Sequence, residues 1–214
     1  MRIVVFWDSI SEWFWDYEKW GWVNMLKTFF WKKNWYEKMV MNYWISAYTS
    51  DNVLKVFDSF FNWVSKRESG KEKESIVVIA IGINDCSFNR VDNQARVWEI
   101  RFRKNIESLI YKCKSNSLVK EVVFIGNINV DEGRINDNEG DNLFYNKEIE
   151  KYNKILQDQC LDNKIKYIDV FWIMEMEDLE DWLHPTTKWH EKIFERVKEY
   201  LDKDIKYPET QTGM

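Results

Sequence analysis

Glycine is scarce in this chain of 214 residues, which contains only 7. Average usage of about 7% would give roughly 15. Histidine is scarcer, with 2, so few imidazole groups are available as bases or ligands. The three cysteines, Cys86, Cys113 and Cys160, are odd in number and lack the spacing of metal ligands. We therefore expect reduced thiols, a cytoplasmic location and no metal.

Long apolar runs and excess positive charge are also missing. No run approaches the roughly 20 residues that a membrane-spanning helix requires. The apolar start, MRIVVF, meets Asp8 almost at once, which is too short for the core of a signal peptide and predicts a strand instead. The net charge of −5 argues against a nucleic-acid partner, because phosphate binding needs a basic surface.

Short apolar runs alternate with amphipathic stretches along the whole chain. The predicted strands are residues 2–6, 39–43, 76–81, 121–125 and 166–170. The predicted helices are residues 20–31, 50–66, 92–114, 146–161 and 188–201. Residues 65–75 are interpreted as a polar loop and residues 127–142 as a long loop or lid. This order predicts one α/β domain over residues 1–206, a three-layer α/β/α sandwich with a parallel sheet, and a loose tail at 207–214.

Polar side chains follow the predicted strands at the edge where parallel sheets bind ligands. Ser9 follows the first strand, Asn84 the third, and Asp181 and His184 come after the fifth. Each has a structural reading, as a helix cap, a turn residue or a solvated pair at a helix start. Together they supply the nucleophile, base, orienting carboxylate and oxyanion donor of acyl transfer. His190, inside the last helix, is interpreted as structural.

Four motifs carry these residues, and they stand in order as FWDSIS (6–11), NYWISAYT (42–49), GIND (82–85) and DWLHP (181–185). They resemble the conserved blocks of the SGNH hydrolases, also called GDSL esterases and lipases, over nearly the whole chain. The resemblance implies a flavodoxin-like sheet of five strands and a serine esterase that needs no metal or cofactor. Ser9 would be the nucleophile, His184 the base and Asp181 its orienting group.

The resemblance also implies three donors for the oxyanion. They are the backbone N–H groups of Ser9 and Ala47 and the side chain of Asn84. The family has glycine at position 47, so Ala47 would carry strain of about 1 kcal/mol or more if the backbone there needs positive φ.

A small-molecule ester of an alcohol, sugar or lipid is the substrate that the resemblance implies. A carbohydrate deacetylase, or a lysophospholipase or thioesterase, would use the same three residues. A catalytically inactive binding module is the alternative from a different class, because a fold does not determine a function.

Tryptophan is as abundant as glycine is scarce, with 13 residues. Seven stand where the family has glycine or where glycine would give a more ordinary loop: Trp7, Trp13, Trp15, Trp20, Trp44, Trp182 and Trp189. We interpret them as UGA codons, translated here as tryptophan but read as glycine by the source organism. The alternative is a tryptophan-rich pocket that grips an apolar acyl chain. Recoding predicts that several of these side chains are exposed or crowded near the catalytic edge, and that at least one has glycine-like backbone angles.

Overall fold

The computed structural model describes residues 1–11, 16–34, 38–66, 73–173, 175 and 179–203. Five parallel strands form one sheet in the order β2-β1-β3-β5-β7. They are β1 (Arg2–Trp7), β2 (Met39–Trp44), β3 (Ser75–Ala80), β5 (Val119–Ile125) and β7 (Lys166–Ile168). Two short strands, β4 (Phe88–Asn89) and β6 (Asn142–Leu143), form a separate antiparallel pair. The predicted parallel five-stranded sheet is confirmed.

The described residues form six α-helices. They are α1 (Gly21–Asn34), α2 (Ser50–Lys66), α3 (Glu99–Lys114), α4 (Glu132–Asp137), α5 (Asn146–Asp162) and α6 (Thr187–Lys203). Helix α1 packs against α6, α2 against α3, and α3 against α5. None of the described helices is long and apolar enough to cross a membrane.

The central strands β1 and β3 are buried along their whole length, as their continuous apolar sequences predict. Such strands must be covered on both faces, and helices supply that cover because each is amphipathic. The three-layer α/β/α sandwich follows from this pattern. It brings the carboxyl ends of β1, β2 and β3 side by side at one edge of the sheet.

Two segments differ from the sequence prediction. The helix predicted over 92–114 begins at Glu99, because the backbone N–H groups of Arg96 and Val97 donate to the carbonyls of Ser87 and Asp85 instead of to a helical turn. The predicted loop or lid at 127–142 contains α4 and reaches β6. The tail at 207–214 lies outside the described residues.

Candidate active site

The site residues expected from the sequence lie at the carboxyl ends of the sheet strands. Ser9 begins a short 3-10 helix directly after β1. Ala47 lies in the turn between β2 and α2, and Asn84 lies in the turn after β3. Asp181 and His184 lie in the bend that leads to α6. Ser9 is far from Asp181 and His184 in the sequence, yet the fold brings its hydroxyl into hydrogen-bond contact with His184.

A continuous chain of hydrogen bonds joins these three side chains. The Nδ1 atom of His184 lies 2.7 Å from Oδ2 of Asp181, and its Nε2 atom lies 2.9 Å from Oγ of Ser9. The other oxygen of Asp181 accepts from the backbone N–H of His184 at 2.7 Å. One carboxylate therefore fixes both the imidazole ring and the backbone that carries it. In this geometry a proton can pass from the serine hydroxyl to the imidazole.

Asn84 is held beside the serine by a buried carboxyl group. Its Nδ2 atom donates to Oδ2 of Asp8 at 3.2 Å, and the backbone N–H of Ile10 donates to Oδ1 of Asp8 at 3.1 Å. Asp8 thus ties the turn that carries Ser9 to the turn that carries Asn84. Its burial raises the pKa of Asp8 to about 7.

Ala47 has a φ of 59°, which is the left-handed region. A non-glycine residue there costs about 1–2 kcal/mol, because its Cβ approaches the following carbonyl oxygen. The strain expected if position 47 needs positive φ is therefore present in this chain. The carbonyl oxygen of Ala47 accepts a hydrogen bond of 3.0 Å from Nη2 of Arg96.

The start of α2 is fixed by a second buried carboxyl group. Both oxygens of Asp85 accept from the backbone N–H of Ser50 at 3.0 Å, and Oδ1 also accepts from its hydroxyl. The side-chain amide of Asn105 donates to the same hydroxyl at 2.8 Å. Burial raises the pKa of Asp85 to about 7. This network anchors the helix that follows the turn containing Ala47.

Asp16 is a residue that the sequence analysis missed. It is fully buried, and its side chain accepts from the backbone N–H groups of Lys19 and Gly21 at 3.0 and 2.9 Å. Its Oδ1 also accepts from the hydroxyl of Thr187 at 2.7 Å. Asp16 thus joins the start of α1 to the start of α6. Helix α6 begins at Thr187, three residues after His184. Its partner Thr187 is distant in sequence, so no local pattern signals this role.

His190, in α6, is buried and contacts the start of α1. Its Nδ1 atom lies 3.4 Å from the backbone N–H of Trp22, and burial lowers the pKa of the imidazole to about 4. The ring is therefore neutral near pH 7. This environment agrees with the structural interpretation of His190.

Two of the seven suspect tryptophans have glycine-like backbones. Trp20 has a φ of 63° and Trp182 a φ of 68°, so the predicted backbone signature is confirmed. Trp20 and Trp44 are exposed, whereas Trp7 and Trp189 are buried in the core. The indole Nε1 of Trp189 has no hydrogen-bond partner within the described part of the chain. The remaining two, Trp13 and Trp15, lie outside the described residues.

The three cysteines are free and buried. Burial raises the pKa of Cys113 and Cys160 to about 12 and raises that of Cys86 well above its ordinary value. A thiol that stays protonated is a poor nucleophile. Over the described ranges, no group of His, Cys, Asp and Glu side chains is arranged to hold a metal ion.

Several solved structures are similar to this chain over most of its length. One is a lipase/acylhydrolase from Enterococcus faecalis, with 20% identity and a TM-score of 0.70, covering 94% of this chain and 95% of that chain. Another is a variant of an acetyl xylan esterase from Geobacillus stearothermophilus, with 16% identity and a TM-score of 0.70, covering 95% of each chain. A third is a GDSL-like lipase from Bacteroides thetaiotaomicron, with 21% identity and a TM-score of 0.65, covering 95% of this chain and 89% of that chain.

No curated protein sequence matches the chain significantly. The family described as GDSL-like lipase/acylhydrolase, however, matches residues 3–197. This range includes all four motifs and every residue of the candidate site. The chain therefore belongs to the GDSL-like lipase/acylhydrolase family and is an ester-hydrolysing enzyme.

Proposed function

We propose that this enzyme cleaves a carboxylic ester through an acyl-enzyme formed on Ser9. The observation that supports this most strongly is the hydrogen-bonded chain from Asp181 through His184 to Ser9, with distances of 2.7 and 2.9 Å. A serine that merely caps a helix does not need an imidazole on its hydroxyl. A solvated His–Asp pair does not need a serine.

The first half of the reaction transfers the acyl group to the enzyme. Oγ of Ser9 attacks the ester carbonyl while Nε2 of His184 accepts the hydroxyl proton. Asp181 stabilises the imidazolium that forms and keeps the other ring proton on Nδ1. His184 then gives its proton to the leaving alkoxide, which departs as the alcohol. In the second half, His184 takes a proton from water, which attacks the acyl-enzyme carbonyl. The proton returns to Oγ of Ser9 and the carboxylic acid is released.

The oxyanion of each tetrahedral intermediate needs donors on the side away from His184. We assign this role to the backbone N–H groups of Ser9 and Ala47 and to Nδ2 of Asn84. Asn84 supports the assignment best, because Asp8 binds one of its two amide hydrogens and the other has no acceptor among the described residues, which leaves it for substrate. Removing one such donor typically costs about 3 kcal/mol of transition-state stabilisation.

The substrate is proposed to be a small acyl ester of an alcohol, sugar or lipid. A sugar acetyl ester is favoured as the first to test, because the similar structures include an acetyl xylan esterase. A lysophospholipase or thioesterase would use the same residues on a longer acyl chain or a thioester. Reduced, buried cysteines support a cytoplasmic enzyme.

Hydrolysis of short p-nitrophenyl esters and of acetylated xylo-oligosaccharides tests this proposal. We expect saturable release of p-nitrophenol from the acetyl ester, and release of acetate from the sugar if it is the preferred alcohol. Long-chain esters cleaved faster than acetyl esters would favour the lipase reading. No turnover of any ester or thioester would favour the inactive binding module.

We also propose that positions 20 and 182 are glycine in the organism's own protein, through UGA codons. Support comes from φ values of 63° and 68°, which tryptophan adopts only with strain and glycine adopts freely. The same reading extends to Trp7, Trp44 and Trp189, which stand at glycine positions of the family motifs. UGG at codons 7, 44, 182 and 189 of the gene would contradict it.

Stability measurements test the backbone part of this proposal. Trp20 and Trp63 are similarly exposed, at 53% and 51%, but Trp63 lies within α2 and has no positive φ. Trp20→Gly relieves left-handed strain, whereas Trp63→Gly adds the cost of a helical glycine. We therefore expect the free energy of unfolding, measured by urea titration, to be about 2 kcal/mol higher for Trp20→Gly than for Trp63→Gly. Equal values would argue for genuine tryptophan at position 20.

A further inference from the structure

Arg96 contacts two of the three segments assigned to the oxyanion hole. Its Nη2 atom donates to the carbonyl oxygen of Ala47 at 3.0 Å, and its Nη1 atom lies 3.5 Å from Oδ1 of Asn84. The backbone that carries this side chain is fixed, because the N–H groups of Arg96 and Val97 donate to the carbonyls of Ser87 and Asp85. The side chain thus bridges the turns after β2 and β3.

The contacts with Arg96 and Asp8 together favour one orientation of the Asn84 amide. A guanidinium only donates hydrogen bonds, so it can bond to the Oδ1 atom of Asn84 but not to its NH₂ group. With Oδ1 directed at Arg96, Nδ2 faces Asp8 and donates to it at 3.2 Å. The second hydrogen of Nδ2 is then available for an oxyanion. The opposite amide orientation would set donor against donor at Arg96.

The contact with Ala47 constrains a strained turn. The φ of 59° at Ala47 is unfavourable for alanine, and a hydrogen bond from a charged donor to its carbonyl offsets part of that strain. Holding this carbonyl limits rotation of the turn and so limits movement of the N–H group of the same residue. Arg96 thereby positions a second proposed donor, the N–H group of Ala47, without contacting the reacting atoms itself.

We propose that Arg96 is a positioning residue that sets the geometry of the oxyanion hole through Asn84 and Ala47. This inference rests on the proposed acyl-transfer function, since it concerns donors that matter only when an oxyanion forms. Neither a helix cap nor a surface ion pair accounts for a guanidinium shared by these two acceptors. Arg96 should therefore affect the rate of the chemical step more than substrate binding.

Kinetics of Arg96→Gln on a p-nitrophenyl ester test the proposal. We expect kcat to fall about tenfold with little change in KM, which is less than the 10²- to 10³-fold loss from deleting a donor outright. Arg96→Lys should retain an intermediate rate, because an ammonium can bond one acceptor but cannot bridge both.

Arg90→Gln is the matched control. Arg90 lies in the same segment, but its guanidinium donates to the carbonyls of Asn136, Asn138 and Gly140, none of which is assigned to the candidate site. We expect its kcat to stay within about twofold of the parent enzyme. An equal loss in both variants would assign the effect to the segment as a whole and overturn the proposal.

A double-mutant cycle with Asn84→Ala separates positioning from direct contact with substrate. If Arg96 acts largely through Asn84, Arg96→Gln should cost less than about threefold once Asn84 is absent. A full tenfold loss in that background would show that Arg96 does not act through Asn84 and would overturn that part of the proposal. If the parent chain lacks hydrolysis that depends on Ser9, the proposed function itself fails.

Side-chain amide NMR gives a readout that needs no turnover. In the parent protein, the Asn84 amide proton that is bonded to Asp8 should exchange slowly with solvent, since the group cannot flip. Arg96→Gln should speed this exchange, and Arg90→Gln should not. Unchanged Asn84 signals in Arg96→Gln would overturn the positioning role whether or not an ester is cleaved.

Discussion

Ser9→Ala is expected to lower ester hydrolysis by about 10⁴-fold or more, leaving only the weak rate that binding and oxyanion stabilisation supply. The reason is that the hydroxyl lies 2.9 Å from Nε2 of His184, where the imidazole can take its proton. Without it, water must attack directly, and no acyl-enzyme forms. Initial rates at saturating p-nitrophenyl acetate measure the loss.

The matched control is Ser46→Ala. Ser46 is an exposed serine in the turn after β2, at the same edge of the sheet, and it has no imidazole contact among the described residues. Its substitution should leave Ser9 reactive toward a fluorophosphonate. Retention of more than a tenth of the parent rate in Ser9→Ala would contradict the assigned nucleophile.

Asp181→Asn is expected to lower kcat by about 10³- to 10⁴-fold, although it changes the shape of the side chain very little. The amide can turn its NH₂ group toward Nδ1 of His184, which then becomes the acceptor. The ring proton moves to Nε2 and faces Ser9, so the imidazole can no longer take the hydroxyl proton. The geometry survives and the base is lost.

Glu180→Gln controls for the loss of one negative charge beside the site. Glu180 is exposed, and its backbone rather than its carboxylate bonds the His184 carbonyl, at 3.0 Å. Its kcat should stay within about threefold of the parent value. A loss of less than tenfold in Asp181→Asn, or an equal loss in both variants, would mean that Asp181 does not orient the base.

The sheet was predictable because burial dictates it locally. Strands such as β1 and β3 are apolar at every position, since both faces are covered, and helix α2 has the bounds that its apolar spacing predicts. The late start of α3 was not predictable. It depends on hydrogen bonds from Arg96 and Val97 to a turn reached only in the folded chain.

The site divides in the same way. Ser9, Asn84, Asp181 and His184 follow predicted strands or stand in short motifs, so their convergence at one edge could be expected from parallel-sheet topology. Asp16 and Arg96 stand in no motif, and their partners Thr187 and Ala47 are brought near only by folding.

Trp20 and Trp182 could be suspected from glycine positions in the sequence, but only the backbone reveals their φ values. Ala47 behaves in the same way, because alanine fits a left-handed turn badly and no neighbouring residue signals that turn. The sequence therefore indicates where glycine is expected, and the fold indicates which of those positions require it.

Mass mapping of a covalent adduct tests the central claim most directly. The enzyme is treated with a fluorophosphonate, digested, and the modified peptide is sequenced by tandem mass spectrometry. We predict one adduct, on Ser9, that forms in the parent chain and not in His184→Ala, because the imidazole must activate the hydroxyl. An adduct on another residue, or brisk ester hydrolysis by an enzyme in which Ser9 stays unmodified, would contradict the proposed mechanism.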